Sequence, residues 1–225
     1  MARPRVHDLD ALLDAAERIV TDTGSAGLTL RALATAAGAS NGSIYHAFSS
    51  KEEILARAWL RASERFLALL DERLEAALVP GGSGEDAVVA AALAPVGFTE
   101  RHPESARLFF GQRRDQLFTA DVPAELVERL DAAQERFTAV LVRLAEARWQ
   151  RRDAVAVEAI AACVVDLPGG LLRRQLLAGG RPDPQTGPRI EASTRAILQL
   201  TVPAPTRRSG SRTGRRTGTS SERTS

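Results

Sequence analysis

The chain has 225 residues, 44% of them hydrophobic but only 4% aromatic, so its core must consist mainly of Ala, Leu and Val. Because Ala and Leu favour helices, this composition favours an all-α fold. The formal net charge of +2 excludes a globally basic nucleic-acid-binding body, and the single cysteine, Cys163, excludes an intrachain disulfide.

The charge is unevenly distributed along the chain. The C-terminal tail, residues 202–225, carries six arginines against one glutamate and therefore a net charge of +5, which leaves about −3 for residues 1–201. The tail has almost no apolar residues, so we expect it to be disordered. It is either a solvated chain end or an arm that contacts DNA phosphates without sequence preference.

The N-terminus and the apolar segments bear on the location of the protein. The opening residues, MARPRVHDLD, have no apolar signal-peptide region. No run approaches the roughly 18 apolar residues of a membrane span. We therefore expect a cytoplasmic protein without a membrane segment.

The first 50 residues contain three predicted helices. Residues 8–23 have apolar side chains at spacings of 3, 4 and 7, which is typical of an amphipathic helix, and Gly24 ends it. Thr29 is suited to cap a second helix, which Gly38 ends. Ser40 is suited to cap a third, very short helix.

The later helices follow from capping signals and apolar periodicity. Ser50 and Glu53 form an S-x-x-E capping box that predicts a fourth helix. A Pro/Gly-containing segment separates it from the next helix, and no alternating strand pattern or internal repeat occurs. The predicted later helices cover 51–78, 86–100, a segment after Pro103, 123–149, 153–177 with an interruption at LPGG (167–170), and 189–201.

The second and third helices, with the turn GAS between them, match a helix-turn-helix. Small and polar residues at the start of the third helix suit the major groove, because they allow close approach and present donors and acceptors to base edges. Ile44 and Phe48 are expected to anchor this helix from the inside. The candidate DNA-binding residues are Thr29, Arg31, Ser40, Asn41, Gly42, Ser43, Tyr45, His46 and Lys51.

Lys51 is the only lysine in the chain. It lies at the start of the fourth helix, where free N–H groups and the helix dipole already favour a phosphate, and a compact ammonium would add to this. The alternative is chance. Short helices joined by glycine turns also occur in many helical proteins that do not bind DNA.

Residues 8–55 resemble the N-terminal domain of the TetR family of transcriptional regulators. The resemblance is carried by ALLDAAERIVTDTGSAGLTLRALATAAGAS and NGSIYHAFSSKEEIL, with the Thr29 cap, the Tyr45-x-x-Phe48 unit and the Ser-Lys-Glu-Glu opening of the fourth helix. It covers about a fifth of the chain.

The resemblance implies a helical effector-binding and dimerisation domain, placed in 51–201, after a DNA-binding domain in 1–50, and the tail follows in 202–225. A single helix-turn-helix offers few base contacts, so we also expect a homodimer on a palindromic, double-stranded DNA operator. We expect the dimer to form through helices 153–177 and 189–201, although the first of these reads equally well as a central core helix.

The function expected from this resemblance is that of a repressor controlled by a small-molecule effector. An activator, or a regulator that responds to a protein partner without a small-molecule effector, is the alternative. The candidate pocket residues are Phe66, Phe98, Phe109, Phe110, Arg113 and Phe137, with Trp59, Phe118 and Trp149 as further aromatic candidates. Ordinary core packing of the aromatic residues and solvation of Arg113 are the alternative readings.

No catalytic constellation is visible, so an enzyme is not expected. The three histidines, His7, His46 and His102, lack metal-ligand spacing, and we predict no metal and no cofactor. Cys163 lies in an apolar segment that favours a buried, inert thiol over a redox sensor. A helical enzyme or lipid carrier would need a convergent polar site within 59–166, where the sequence shows none.

Overall fold

The structure is a computed structural model that describes residues 9–112 and 122–204. These two ranges are helical, with no strand among them, which confirms the all-α prediction. The helices are α1 (Leu9–Thr23), α2 (Leu30–Ala37), α3 (Asn41–Ala47), α4 (Lys51–Ala77), α5 (Gly84–Arg101), α6 (Pro103–Gly111), α7 (Ala124–Trp149), α8 (Ala154–Ala161), α9 (Leu167–Leu177) and α10 (Thr186–Leu198).

The predicted caps of α2 and α3 are present. The hydroxyl of Thr29 accepts the Ala32 N–H at 3.0 Å, and that of Ser40 accepts the Ser43 N–H at 3.1 Å. Gly38 ends α2 in the left-handed conformation, with φ of 62°. These local contacts fix the angle between α2 and α3.

The capping box at α4 differs from the prediction in one partner. Ser50 accepts the Glu53 N–H at 3.0 Å as expected. The Glu53 carboxylate, however, accepts the N–H and the hydroxyl of Ser49, at 2.8 and 2.7 Å, and also pairs with Arg57. Burial acts to raise the pKa of Glu53, but the hydrogen bonds from Ser49 and Arg57 outweigh it and lower the pKa.

The sequence predicted an interruption at LPGG (167–170). In the structure LPGG begins helix α9, and the irregular segment is a π-helical turn directly before it. Ala162–Asp166 forms this turn between α8 and α9, and the Leu167 N–H donates to the Ala162 carbonyl five residues back. Pro168 lacks an N–H and its ring crowds the preceding turn, so the widened turn lets the helix continue through the proline. Helix α10 begins at Thr186, before its predicted start, because Pro188 fits a first helical turn.

The segment Ala154–Leu177 is more apolar on average than the sequence runs suggested. An 18-residue window has a mean hydropathy of 1.8, so the segment is long and apolar enough to cross a membrane by length and composition. Single residues such as Asp166 shorten the uninterrupted runs without lowering this average much. Only 33% of the window is buried within the chain, which leaves much apolar helix surface for a partner.

Two hydrophobic clusters share helix α4. The first joins α1, α2 and α3 to the first half of α4 and includes Leu28, Ile44, Phe48 and Ile54. The second joins the rest of α4 to α5, α7, α8 and the π-helical turn, with Phe98 at its centre. One continuous helix thus connects the three N-terminal helices, the head, to the remaining helical body.

Candidate nucleic-acid interface and effector cavity

Helix α3 is anchored from inside and exposed outside. Ile44 and Phe48 are 0% and 1% exposed and fix the helix on the core of the head. Asn41, Gly42 and His46 are exposed on the other side, and Tyr45 is 65% exposed. A large exposed tyrosine on a small helix is a feature that core packing does not explain.

Two of the candidate DNA-binding residues also hold α3 together. The hydroxyls of Ser40 and Ser43 lie 2.8 Å apart, in addition to the bond from the Ser43 N–H to Ser40. Ser43 is half-buried, whereas Ser40 is exposed. Any contact of these hydroxyls with DNA would therefore share atoms with the helix cap.

Gly42 is a glycine that the fold itself does not require. Its φ is not in the left-handed region, and a Cβ built on it would meet only the Ser40 hydroxyl, at 3.9 Å. A glycine inside a helix is less favourable than alanine by about 0.5–1 kcal/mol. The open space in front of Gly42 permits close approach of an external surface.

The cations of the head are few and local. Between residues 9 and 50, only Arg18 and Arg31 are Lys or Arg, against four acidic residues. Asp10, Asp14 and Glu17 bind Arg61 of α4 and thus face the body. Their charges are therefore partly balanced by Arg61.

Thr29 and Arg31 precede α3 in the chain, and Lys51 follows it. Thr29 and Arg31 are exposed at the start of α2, and half-buried Lys51 opens α4. The N-termini of these helices carry partial positive charge and free N–H groups, which suit phosphate oxygens. This surface, with α3, is called the head surface below.

A buried ionic network connects the head to the body. Arg61 Nη2 lies 2.8 Å from Glu17 Oε1 and 2.8 Å from Asp14 Oδ1. Ser105 of α6 donates its hydroxyl to Glu17 Oε2 at 2.8 Å and accepts from Arg65 Nη1 at 3.1 Å. Helices α1, α4 and α6 therefore meet at one carboxylate that is 2% exposed.

A polar cleft of about 410 Å³ borders this network. Its lining includes Arg65, Arg101 and His102 near the start of α6. Burial, followed by the charges of Arg65, Arg101 and Arg61, lowers the pKa of His102 below its usual value. The imidazole is therefore held in its neutral form more strongly than in an unfolded chain.

An apolar cavity of about 310 Å³ lies in the body. Residues of α4, α5, α6 and α7, of the π-helical turn and of the start of α9 line it. Its lining residues are Trp59, Ser63, Phe66, Leu67, Pro95, Phe109, Phe110, Leu130, Ala133, Gln134, Phe137, Val164, Val165, Pro168, Gly169 and Leu172.

Four of the six candidate pocket residues, Phe66, Phe109, Phe110 and Phe137, line this cavity, as does Trp59. Phe98 stands behind the wall, with its ring centroid 5.5 Å from that of Phe66. Trp149 lies beside Arg148, in the last turn of α7. Arg113 and Phe118 lie outside the described residues.

The polar and aliphatic residues that line the cavity were not among the residues predicted from the sequence. Ser63 follows Trp59 by four residues on α4, so helical spacing from an aromatic candidate could have identified it. Gln134 and Phe137 are three residues apart on α7 in the same way. No sequence pattern indicated that Val164, Val165 and Pro168 line the cavity, because any side of an apolar helix can pack into a core.

The environment of Cys163 matches an unreactive thiol. Cys163 is fully buried in the π-helical turn, and burial raises the pKa of its thiol to about 11. The thiolate is the reactive form, so little of it is present near neutral pH. Within 9–112 and 122–204, no group of three or more His, Cys, Asp or Glu side chains is arranged to hold a metal ion.

Comparison with known proteins relates the N-terminal part of the chain to one family. The family model described as bacterial regulatory proteins, tetR family, matches residues 12–58, which include the whole of α3. No curated protein matches the chain in sequence.

Solved structures share the fold over most of the chain. A TetR-like transcriptional regulator from Rhodococcus sp. RHA1 is 22% identical, with a TM-score of 0.63 over 88% of this chain and 100% of that chain. The fatty acid degradation regulator FadR from Bacillus halodurans is 15% identical, with a TM-score of 0.64 over 88% and 96%. FadR from Bacillus subtilis in complex with stearoyl-CoA is 15% identical, with a TM-score of 0.61 over 87% and 98%.

Proposed function

The chain belongs to the TetR family of bacterial regulatory proteins, and we propose that it is a ligand-responsive transcriptional repressor that binds a palindromic operator as a homodimer. The observation that carries this proposal is the head surface. It combines a short helix anchored by Ile44 and Phe48 with an exposed outer face and flanking helix N-termini.

The head surface suits double-stranded DNA in three respects. Asn41 and Gly42 lead α3, so small and polar groups meet the base edges. Tyr45 and His46 are on the exposed side of α3 and are proposed to contact the DNA backbone. Thr29, Arg31 and Lys51, at or near the starts of α2 and α4, are proposed to bind phosphates beside the groove.

The dimer is proposed to form through α8, α9 and α10. Within the described part of the chain, this surface is uncovered: Val165 is 40% exposed, Leu177 is 57% exposed, and Ala192 and Ala196 are exposed one turn apart on α10. A Cβ built on Gly170 meets nothing within 4 Å, so another helix can approach there. A second copy of the chain would cover these apolar residues and place two α3 helices on half-sites spaced by about one helical turn or a multiple of it.

The effector is proposed to bind in the apolar cavity. The cavity walls join the body helices to Val165 and Pro168, next to the proposed dimer surface. A ligand there would contact the element that sets the distance between two heads. FadR from Bacillus subtilis, solved with stearoyl-CoA, is an example of this fold with a small molecule bound.

Helix α6 is proposed to connect the cavity with the head. Phe109 lines the cavity, and Ser105, one turn earlier on α6, donates to Glu17 of α1. A ligand that displaces Phe109 would shift Ser105 and, with it, the head. The coupling equals the difference in ligand affinity between the two arrangements, usually about 1–3 kcal/mol.

The proposed setting is the cytoplasm, where the operator is accessible, and the proposed role needs no catalysis. The sign of regulation is part of the proposal. A reporter gene under the chain's own operator would show lower expression with the regulator present if it represses, and higher expression if it activates.

The direct test is DNA binding by electrophoretic mobility shift, with DNA from beside the protein's own gene and with salt varied. Tyr45→Ala and Lys51→Ala should each weaken binding, because each removes a group that binds phosphate, while circular dichroism and the dimer mass remain as in the parent. Arg143→Ala, which removes an exposed cation on α7, is the control. Parental affinity in both head variants, or no binding to any duplex at low salt, would overturn the proposal.

A further inference from the structure

We propose that the apolar cavity selects an uncharged aromatic molecule with one polar group, which forms a hydrogen bond with Ser63. This inference rests on the proposed function, because it names the chemical class of the effector. It follows from three properties of the lining that the structure describes: its aromatic rings, the hydroxyl of Ser63 and the absence of charged side chains among these residues.

Aromatic rings form a connected wall. The ring centroid of Phe66 lies 5.6 Å from that of Phe109, 5.3 Å from that of Phe110 and 6.3 Å from that of Phe137. Trp59 extends the wall, 5.1 Å from Phe109. The rings are tilted or edge-on to one another, so an inserted flat ring meets both faces and edges, which aromatic pairs favour.

Ser63 supplies a polar group inside this wall. The residue is 8% exposed, yet within the described ranges its hydroxyl has no hydrogen-bond partner. Some other hydroxyls on helices of this chain bond to a carbonyl in the preceding turn, as Thr138 does with Gln134. Ser63 Oγ is not one of the fully buried atoms without a partner, so it keeps accessible surface, and Ser63 lines the cavity. A ligand atom in the cavity can therefore bond to this hydroxyl.

The described lining contains no Asp, Glu, Lys, Arg or His. Its polar side chains are Ser63 and Gln134, and Gln134 is exposed at the rim. An ionised ligand would lose its hydration without gaining an opposite charge from these residues, which is strongly unfavourable. The cavity volume of about 310 Å³ is at the small end for ligand pockets and suits two fused rings.

The test uses four probes of matched size with the full-length protein: 2-naphthol, naphthalene, decahydro-2-naphthol and 2-naphthoate. Equilibrium dialysis at neutral pH gives each dissociation constant. We expect the dissociation constant of 2-naphthol to be lower than that of decahydro-2-naphthol by about threefold or more, because 2-naphthol gains the aromatic contacts. We expect 2-naphthoate to bind more weakly than either. Equal or tighter binding of 2-naphthoate or of the saturated alcohol would overturn the proposal, as would no binding of 2-naphthol.

Two variants locate the binding. Ser63→Ala should weaken 2-naphthol about 3- to 10-fold and leave naphthalene unchanged, because only naphthol loses a hydrogen bond. Ala133→Phe, which fills the cavity from α7, should weaken both. A Ser63→Ala effect of equal size on both neutral probes, or no effect on 2-naphthol, contradicts the proposal. Thermal melts establish that each variant is folded.

Operator release distinguishes this inference from the proposed function. Suppose that 2-naphthol binds, and more weakly to Ser63→Ala, but leaves the operator complex intact at saturation. The proposed ligand class of the cavity then stands, and release of the operator by naphthol is excluded. If the operator complex is released by a charged compound while 2-naphthol does not bind, the repressor stands and the assignment fails.

Discussion

Arg61 and Glu17 form an ion pair at the junction of the head and the body. The Arg61 side chain is 10% exposed and that of Glu17 is 2% exposed, with 2.8 Å between Nη2 and Oε1. The pair joins α4 to α1 across 44 positions of sequence. Because Glu17 also accepts the Ser105 hydroxyl, both of its oxygens are used.

We predict that Glu17→Gln lowers the free energy of unfolding by about 2–3 kcal/mol, since removing one partner leaves a buried guanidinium with less compensation. Asp14 also binds Arg61, but its side chain is 55% exposed, so Asp14→Asn should cost less than about 1 kcal/mol. Urea denaturation of both variants measures the difference. Equal costs would mean that burial does not set the strength of this pair.

The structure shows which of these features the sequence could predict. Caps at Thr29, Ser40 and Ser50 depend on neighbours three residues away, so local patterns identify them. Glu17 lies among the polar residues of an amphipathic helix, so helical periodicity alone predicts that it is exposed to solvent. Its burial depends on Arg61 and Ser105, and no local pattern brings these residues together.

A second prediction concerns Ser105 and tests the coupling through α6. In Ser105→Ala, the effector-induced change in operator affinity should shrink several-fold, because α6 loses its bond to Glu17. Effector affinity in the absence of DNA should change little. Thr138→Ala, which removes an exposed hydroxyl that bonds only within α7, is the matched control. Full coupling in Ser105→Ala would exclude this hydrogen bond from the pathway.

A third prediction is that Gly42→Ala raises the stability of the protein and lowers its affinity for DNA. The variant should be more stable by about 0.5–1 kcal/mol, because alanine favours the helix and its Cβ meets open space. Operator affinity should fall, because the added methyl lies between α3 and the DNA. Thermal melts and mobility shifts on the same preparation measure both effects. Parental affinity would show that the DNA backbone does not approach Gly42.

The cavity illustrates a different limit of sequence reasoning. Scarce aromatic residues identified much of its wall, because Phe66, Phe109, Phe110 and Phe137 all line it. The same reasoning also selected Phe98, which is fully buried behind the wall. Composition shows which side chains are large, but only packing shows which of them face empty space.

A fourth prediction concerns His102 and pH. Burial and three nearby arginines lower its pKa, so the unfolded chain takes up this proton more readily than the folded chain. Its stabilising contribution is therefore complete above the usual value of about 6.5 and is lost as pH falls below it. The free energy of unfolding should decrease between pH 7.5 and 5.5, with a shallower decrease in His102→Gln. The same slope in parent and variant would contradict the assignment.

The last prediction concerns the arginine-rich tail, whose residues 205–225 lie outside the described ranges. Arg151 donates to the carbonyls of Val202 and Pro203 at 3.1 and 2.8 Å, so the chain leaves the body beside the turn from α7 to α8. That turn lies near the start of α5 and hence at the far end of α4, roughly 40 Å from the head for a 27-residue helix.

From there, a fully extended tail reaches at most about 70 Å, which exceeds the roughly 40 Å to the head, so it can contact DNA at the operator or beside it. Removing residues 205–225 should reduce affinity and flatten its salt dependence, by about 0.9 in the slope for each phosphate that the tail neutralises in the parent. The effect should be larger on a duplex that extends beyond the operator, because longer DNA offers the tail more phosphates. A tail with its six arginines changed to Gln is the control, since it keeps the length and removes the charge. An unchanged salt slope on long DNA would leave the tail as a solvated chain end.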